Sequence, residues 1–143
     1  MISYIKNSGD RLVELDSAIE GCWINVIDPT SGEIEELTGL GIPLDFITYS
    51  LDIDERPRTE REDDGTMLIL IRIPYFQGLK VDVPYTTIPL GIILRDGSVV
   101  TVCRRQNEIV QELASGRVKG LSTAKRNRFV LRILLSAASK FLA

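Results

Sequence analysis

A run of apolar residues from Thr66 to Phe76, TMLILIRIPYF, constrains the fold of this chain more than any other feature. The run has almost no alternation between apolar and polar positions. A strand of this kind is buried on both faces, which implies that helices cover both sides of its sheet. The stretch 85–104, YTTIPLGIILRDGSVVTVCR, contains Asp96–Gly97 and so predicts a hairpin of two further strands. Pro89 predicts a bulge or a sheet edge in the first of these strands.

The other segments predict further strands and four helices. Short strands are expected in the stretches MISYIK, RLVELD and GCWINVI. Helices are expected in DPTSGEIEEL, PLDFITYSL, NEIVQELASG and the segment from about Ser122 onwards. The order is therefore strands, two helices, strands, two helices. We predict an α/β fold with three layers, α/β/α, in which helices flank a mixed central sheet.

Several signals mark the start of the first helix. Asp28 can cap it, and Pro29 suits the first helical position, where no amide proton is needed. Glu33 lies three residues after Thr30, which is the spacing of a capping box.

The last helix is expected to carry a broad apolar stripe and to project from the domain. Its apolar residues form two series with helical spacing, which are Val130, Leu134, Ala137 and Phe141, and Leu131, Leu135, Ala138 and Leu142. No glycine, proline or polar cap stops the helix near Ala143. A helix that ends within its pattern predicts a fragment of a longer protein. We expect an α/β domain over residues 1–120 and the start of a longer helix over residues 121–143.

The charge is distributed unevenly along the chain. The net charge of −3 combines 8 basic and 18 acidic side chains in residues 1–102 with 9 basic and 2 acidic ones in residues 103–143. The first part is therefore an acidic body and the second a basic segment. The basic segment either meets an anionic partner or packs on its own acidic body.

The composition argues against several kinds of chemistry. There is no histidine, which removes the commonest general base and zinc ligand. Cys22 and Cys103 lie far apart in apolar stretches, so two buried, reduced thiols are expected. The chain has no nucleotide-binding fingerprint, and no nucleophile has a base at a recognisable spacing. It has neither a signal peptide nor an apolar run of ~18–20 residues. We predict that it is not an enzyme.

A nucleic-acid partner is not expected either. Lys125, Arg126, Arg128 and Arg132 cluster in the last helix, but Phe129 is the only aromatic residue near them. Binding of single strands uses interleaved aromatic side chains, and an acidic body repels a phosphate backbone.

The stretch Leu51–Gly65, LDIDERPRTEREDDG, holds seven carboxylates. Such oxygens suit Mg²⁺ or Ca²⁺, although their spacing does not fit an EF-hand. Alternatively, this is a solvated loop in which Arg56, Arg58 and Arg61 pair with neighbouring carboxylates. Pro57 excludes a helix here and makes the segment a linker between helix and sheet.

Several short motifs follow one another in a fixed order. A W-I-x-x-x-x-P-T stretch precedes a short acidic helix, a GIPL stretch and a D-x-x-x-R-P-R-x-E segment that leads into the apolar strand. In this order the chain resembles the amino-terminal cytosolic domain of the CorA-type magnesium transporter family, particularly its Gram-positive members. The resemblance covers nearly the whole chain. It implies that five residues are structural motif positions, namely Trp23, Pro29, Arg56, Pro57 and Arg58.

The resemblance implies a function as the cytosolic regulatory domain of a pentameric channel for a divalent cation, Mg²⁺ or also Co²⁺. In that family a long stalk helix leads to two membrane helices, the first of which ends in Gly-Met-Asn. Residues 121–143 would then be the truncated start of the stalk, and this part alone would transport nothing. The full-length homo-oligomer would sit at the cytoplasmic face of the cell membrane. It would contact the membrane only through the missing carboxy-terminal part.

The resemblance also implies a weak regulatory Mg²⁺ between neighbouring domains. In one family arrangement, an aspartate in the hairpin after the apolar strand faces an acidic residue of the next subunit's stalk. Gln77 stands at that position here, and a neutral amide binds magnesium more weakly than a carboxylate. The candidate ligands are then Asp82, five residues further on, and Asp63 and Asp64 in the acidic stretch.

Two other interpretations stay open. A zinc-exporter-like paralogue would share the fold, although the absence of histidine argues against zinc handling. Alternatively, the chain is a stand-alone interaction module that binds a partner protein through the apolar stripe of its last helix.

Overall fold

The structure is a computed structural model that describes residues 1–118 and 120–142. Within these residues the strands are β1 (Ile2–Ser8), β2 (Arg11–Leu15), β3 (Cys22–Ile27), β4 (Arg58–Arg61), β5 (Met67–Phe76), β6 (Tyr85–Arg95) and β7 (Ser98–Cys103). The helices are α1 (Ser31–Gly39), α2 (Leu44–Leu51), α3 (Glu108–Ala114) and α4 (Arg126–Leu142). The predicted hairpin turn at Asp96–Gly97 joins β6 to β7.

The strands form one sheet in the order β2-β1-β3-β7-β6-β5-β4. β3 and β7 run parallel at the centre, and the other neighbouring pairs are antiparallel. The sheet is therefore mixed, as predicted. Both central strands are buried at every position, because helices cover both of their faces.

Two apolar cores lie on opposite sides of the sheet. One contains Trp23 of β3 and Phe129 of α4, together with residues of α3. The other contains Ile24 of β3 and Phe46 of α2, together with Leu37 of α1. Neighbouring residues of a strand point to opposite faces, so β3 contributes alternately to both cores. The α/β fold with three layers is confirmed.

Both cysteines are buried and neither forms a disulfide, as expected. Cys103 lies in the core on the α3–α4 side and Cys22 in the other. Burial raises the pKa of the Cys103 thiol, so this group stays protonated and unreactive at neutral pH.

Helix α1 begins with the predicted capping box. The Glu33 amide donates to Thr30 Oγ1 (3.1 Å), and the Thr30 amide donates to Glu33 Oε1 (2.9 Å). Because Thr30 is the cap, Pro29 lies before the helix and not at its first position, and Asp28 is not the cap. Asp28 instead adopts a left-handed conformation with φ of 44°, where the chain turns out of β3.

The acidic stretch contains a strand that the sequence did not predict. Arg58–Arg61 forms β4 at the sheet edge and pairs with Leu70–Met67 of β5. Its polar side chains fit this place because only one neighbour pairs with it and alternate residues are exposed. Pro57 precedes the strand, so its missing amide proton breaks no ladder bond.

Pro89 causes no bulge, and it lies at the point of β6 where pairing with β7 stops, so one side of the strand is a local edge there. The register between β5 and β6 is continuous, and Pro89 lies opposite Arg72. The pairing of β6 with β7 ends one residue later in the chain, at Leu90 opposite Cys103. Pro89 therefore lies just past the end of β7, where a missing amide proton is tolerated.

Helix α4 packs on the sheet and does not project from it. Phe129, Val130, Ile133 and Ala137 are buried in the core on the α3–α4 side. The predicted apolar stripe is thus divided, since Leu131 and Leu135 point outwards and are 55% and 53% exposed. Within the described residues, no helix has the length and apolar character needed to cross a membrane. The domain boundary at residue 120 stays a prediction.

Candidate functional site

Asp63 and Asp64 lie in the exposed turn that joins β4 to β5. The turn is closed by two backbone bonds, from Gly65 to Glu62 (3.0 Å) and from Glu62 to Thr66 (2.8 Å). Asp64 Oδ1 accepts a hydrogen bond from the Thr66 amide (2.9 Å). This bond holds the pKa of the Asp64 carboxyl below its usual value. Asp64 therefore shapes the turn, and it is an exposed residue.

Asp82 lies in the exposed loop that joins β5 to β6, and Gln77 closes that loop. The Gln77 backbone amide donates to Pro84 O (2.6 Å), and its side-chain Nε2 donates to Val83 O (2.8 Å). The side-chain amide of Gln77, which stands where the family has an aspartate, thus forms a hydrogen bond that closes the hairpin. The surface around it carries exposed apolar side chains that the sequence reasoning did not single out, namely Phe76, Leu79, Val81, Val83 and Tyr85.

The structure does not bring the three candidate ligands together. Asp63 and Asp64 precede β5, and Asp82 follows it. The 10 residues of β5 span roughly 30 Å at about 3.3 Å per residue. In the described part of the chain, no three Cys, Asp or Glu side chains are close enough to hold a metal ion together.

Arg58 organises the acidic stretch. Its guanidinium pairs with Glu55 and, at 3.2 Å, with Glu60, and it lies 4.7 Å from the centre of the Tyr49 ring. The hydrogen bond to Glu55 raises the pKa of Arg58. The interpretation of a self-paired loop therefore applies to Arg58. Arg56 and Pro57 lead into β4, and the Arg56 carbonyl accepts a further bond from Arg58 (3.2 Å).

Arg72 is a residue that the sequence reasoning missed. It lies on β5, and its guanidinium donates to the carbonyls of Ile53 and Glu55 (both 2.9 Å). It also donates to the hydroxyl (2.9 Å) and the carbonyl (2.7 Å) of Thr87. One side chain thus fastens the acidic stretch to β6. The available signal was a single arginine inside an otherwise apolar run.

Trp23 joins the sheet to α4. Its ring is fully buried, with its centre 5.0 Å from that of Phe129. The indole Nε1 donates to Thr101 Oγ1 (2.8 Å), and that hydroxyl donates to Asn25 Oδ1 (3.1 Å). Trp23 is thus a packing residue with one satisfied polar atom. Pro29 is half-buried at the bend after β3.

The outer side of α4 forms an apolar surface edged by positive charge. Leu131 and Leu135 are four residues apart and so lie on one face of the helix. They line a shallow groove of about 260 Å³ with Arg128, Arg132 and Leu121. Within the described part of the chain, neither of these arginines forms an ion pair.

The two helical layers carry opposite charge. Residues 28–64, which contain α1 and α2, hold 12 acidic and 3 basic side chains. Residues 104–142, which contain α3 and α4, hold 9 basic and 2 acidic ones. Among the described residues, no ion pair joins the two layers, since Arg58 and Lys140 each pair within their own layer. The basic segment thus packs on the sheet of its own acidic body, as one of the two predictions stated, but on the face opposite the acidic α1–α2 layer.

The chain is similar in sequence to a family of ion transporters. The sequence model for the family described as "CorA-like Mg2+ transporter protein" matches residues 20–142. The cobalt/magnesium transport protein CorA of Methanocaldococcus jannaschii is 30% identical over 109 residues, which cover 76% of this chain and 31% of that protein. The chain thus spans about a third of the length of this relative.

Solved structures share the fold. The complete CorA magnesium transporter from Methanocaldococcus jannaschii superposes with a TM-score of 0.78 at 21% identity, covering 99% of this chain and 45% of that one. The ZntB cytoplasmic domain from Vibrio parahaemolyticus gives a TM-score of 0.71 at 13% identity, covering 96% of this chain and 57% of that one. Two proteins with different names thus share this fold, and at these identities the likeness concerns the fold alone.

Proposed function

This chain belongs to the CorA-like Mg²⁺ transporter family, and we propose that it is the cytosolic domain of a longer divalent-cation channel. The observation that carries the proposal is the extent of the match. Residues 20–142 include both helical layers and the two central strands. The match therefore covers the architecture of the domain and not one short motif.

The proposed cargo of the longer protein is Mg²⁺, with Co²⁺ as a second ion. Both ions occur in the name of the relative from Methanocaldococcus jannaschii. We place the domain at the cytoplasmic face of the cell membrane, within a homo-oligomer that is a pentamer in the full-length protein. Membrane helices beyond this domain would form the pore, so residues 1–143 alone would move no ion. A domain of a transporter needs no bond-breaking chemistry, and we propose no catalytic role.

The proposed regulatory Mg²⁺ would bind weakly and between subunits. Magnesium retains several waters and is often held by one or two carboxylates. Asp63 with Asp64 offers such a pair, and Asp82 offers a single carboxylate at the other end of β5. The described residues of one chain hold no group of three such ligands, so a second copy would have to supply further ones. Neutralising Asp63 and Asp64 together should then weaken any magnesium-dependent association between domains.

Ion flux into vesicles tests the proposed function. The complete reading frame that contains this chain is reconstituted in liposomes that enclose a magnesium-sensitive dye, and external Mg²⁺ is added. We expect dye signal from the complete protein and none from residues 1–143 alone. A complete protein that gives no flux of Mg²⁺ or Co²⁺ would contradict the proposal.

A second candidate function is a stand-alone interaction module. The outward leucines of α4 favour it, because an exposed apolar helix face commonly marks a binding surface. A reading frame that ends at Ala143 would favour this function over the channel.

A further inference from the structure

We propose that the outer face of α4 binds the acidic α1–α2 layer of a second copy of this chain, head to tail and without a metal ion. This inference goes beyond the proposed function, because it concerns how two domains recognise each other and not which ion is carried. Its starting point is the separation of charge. A basic layer and an acidic layer lie on opposite sides of one sheet, and no ion pair among the described residues joins them.

The first half of the interface is the groove beside α4. Leu131 and Leu135 are more than half exposed there, while Phe129 and Ile133 on the other side of the same helix are fully buried. A helix that is apolar on two opposite sides is typical of one buried between two partners. Arg128 and Arg132 lie at the rim of this groove, so their positive charges favour an anionic partner.

The second half is present on the same chain. Leu44 at the start of α2 is 53% exposed, and the next residue is the exposed Asp45. Glu35 on α1 is exposed in the same layer. Among the described residues, neither carboxylate forms an ion pair. This layer thus offers an exposed leucine next to Asp45, and a further exposed carboxylate on α1, to a groove of leucines edged by two arginines.

Charge also selects the geometry of the contact. Two copies that met through α4 alone would place Arg128 and Arg132 against the same arginines, which like-charge repulsion disfavours. Contact between the acidic layer of one copy and the basic layer of the next avoids this repulsion. Such a contact is heterologous, so it repeats from copy to copy and closes into a ring if the rotation allows. Because arginines supply the countercharge, no Mg²⁺ is needed to bridge carboxylates.

Sedimentation velocity of residues 1–143 in EDTA tests the contact. Two variants are compared with the natural chain, and each has one of the two interacting faces neutralised and the other unchanged. One variant carries Arg128→Gln and Arg132→Gln, and the other carries Glu35→Gln and Asp45→Asn. We expect the natural chain to self-associate and each variant to be monomeric. An equimolar mixture should give a dimer that grows no further, since only one native pair of faces remains. We expect the dissociation constant of the natural chain to rise roughly tenfold between ~50 and ~500 mM NaCl, because salt screens exposed charges.

A matched control removes two positive charges elsewhere. Arg11→Gln with Lys80→Gln lowers the net charge by the same amount, away from α4, and should associate like the natural chain. A natural chain that stays monomeric at low salt would overturn the proposal, as would a mixture of the two variants that forms no dimer. Association that requires Mg²⁺ would instead favour bridging of acidic faces.

Binding to vesicles tests whether the partner of the outer face of α4 is a second copy of the chain or a lipid surface. Basic helices with exposed leucines also bind anionic membranes. Vesicles of ~30% phosphatidylserine are therefore added to the natural chain at low salt. We expect no binding that competes with self-association. Strong binding that Arg128→Gln and Arg132→Gln abolish, in a chain that stays monomeric, would overturn the proposal. None of these outcomes depends on ion flux, so failure here is distinct from failure of the channel function.

Discussion

The two faces of the central sheet are held by different kinds of interaction. On the α3–α4 side, the core contains directional polar bonds, since Trp23, Thr101 and Asn25 form a buried hydrogen-bonded chain beneath Phe129. On the α1–α2 side, α2 approaches the sheet so closely that no side chain fits at Gly91. The packing of α4 on one face therefore depends in part on buried hydrogen bonds, and the packing of α2 on the other face depends on the absence of a side chain at Gly91. Substitutions that remove a partner or add a single carbon distinguish the two.

The largest expected effect is on the α3–α4 side. Phe129→Ala should lower the free energy of unfolding by about 3–5 kcal/mol, because it removes a fully buried ring and leaves a cavity against Trp23. Urea unfolding followed by the fluorescence of Trp23 measures the change. Leu131→Ala on the exposed side of the same helix is the control and should cost much less. Equal losses in the two variants would mean that α4 is not anchored through Phe129.

The next effect tests steric fit on the α1–α2 side. A Cβ atom at Gly91 would lie 1.8 Å from Ser50 Oγ and 2.6 Å from Ser50 Cβ, so α2 must shift. Gly91→Ala should cost about 3 kcal/mol, at the upper end for overpacking. Thermal unfolding measures this loss, with Gly39→Ala as the control because a Cβ there meets nothing within 4 Å. Ser50→Gly should recover part of the loss in the double variant, and strict additivity would contradict the contact.

A smaller effect tests the polar bonds. Thr101→Val keeps the shape of the side chain but leaves Trp23 Nε1 without an acceptor and Asn25 Oδ1 without its donor. We expect a loss of about 2 kcal/mol in urea unfolding, the desolvation cost of unpaired buried groups. Thr59→Val on the exposed edge strand is the matched control and should be near neutral. A neutral Thr101→Val would mean that packing alone holds this face.

The smallest effect is pH-dependent and lies at the start of α1. Two hydrogen bonds hold the pKa of the Glu33 carboxyl below its usual value. The larger effect comes from the bond that the Thr30 backbone amide donates, and the next from the bond that the Met1 amino group donates. A lowered pKa stabilises the fold above the unfolded value of about 4.3, and this contribution is lost as the pH falls through the folded value. Glu33→Gln should therefore be less stable than the natural chain near pH 7, and the difference should shrink towards pH 3. Parallel thermal scans with Glu35→Gln as control measure it, and a gap independent of pH would contradict it.

The sequence predicted the layers because buried strands and capped helices leave local patterns. The spacing of Thr30 and Glu33 identified the start of α1. The apolar run that became β5 correctly indicated helices on both sides of the sheet, but burial of the run itself on both faces was wrong, since only Leu68, Leu70 and Ile73 of its ten residues are buried and the fully buried strands are β3 and β7. The motifs from Trp23 to Arg58 also identified the family, which the match over residues 20–142 confirms. These features depend on residues that are neighbours in sequence or lie at a fixed helical spacing.

Features that depend on distant partners were missed. The strand β4 has a polar sequence next to Pro57, and only its pairing with β5 makes it a strand. The stripe on α4 had the right period, but the period does not say which side meets the sheet. The roles of Arg72 and Gln77 also required three dimensions, because both are set by backbone carbonyls across a loop. The metal role of Asp63, Asp64 and Asp82 stays a prediction.

The parallel pairing of β3 with β7 has a consequence for the order of events during synthesis. Trp23 and its partner Thr101 are 78 residues apart, and the strands between them in sequence lie further out in the sheet. A nascent chain that emerges from the ribosome therefore leaves one edge of β3, a strand with a tryptophan, two isoleucines and a valine, without its partner until residue 103 has left the exit tunnel. The first half of the chain has to wait for the last strand before its core can close. A pause in translation before β7 would lengthen the time in which an apolar strand with one unpaired edge is open to aggregation.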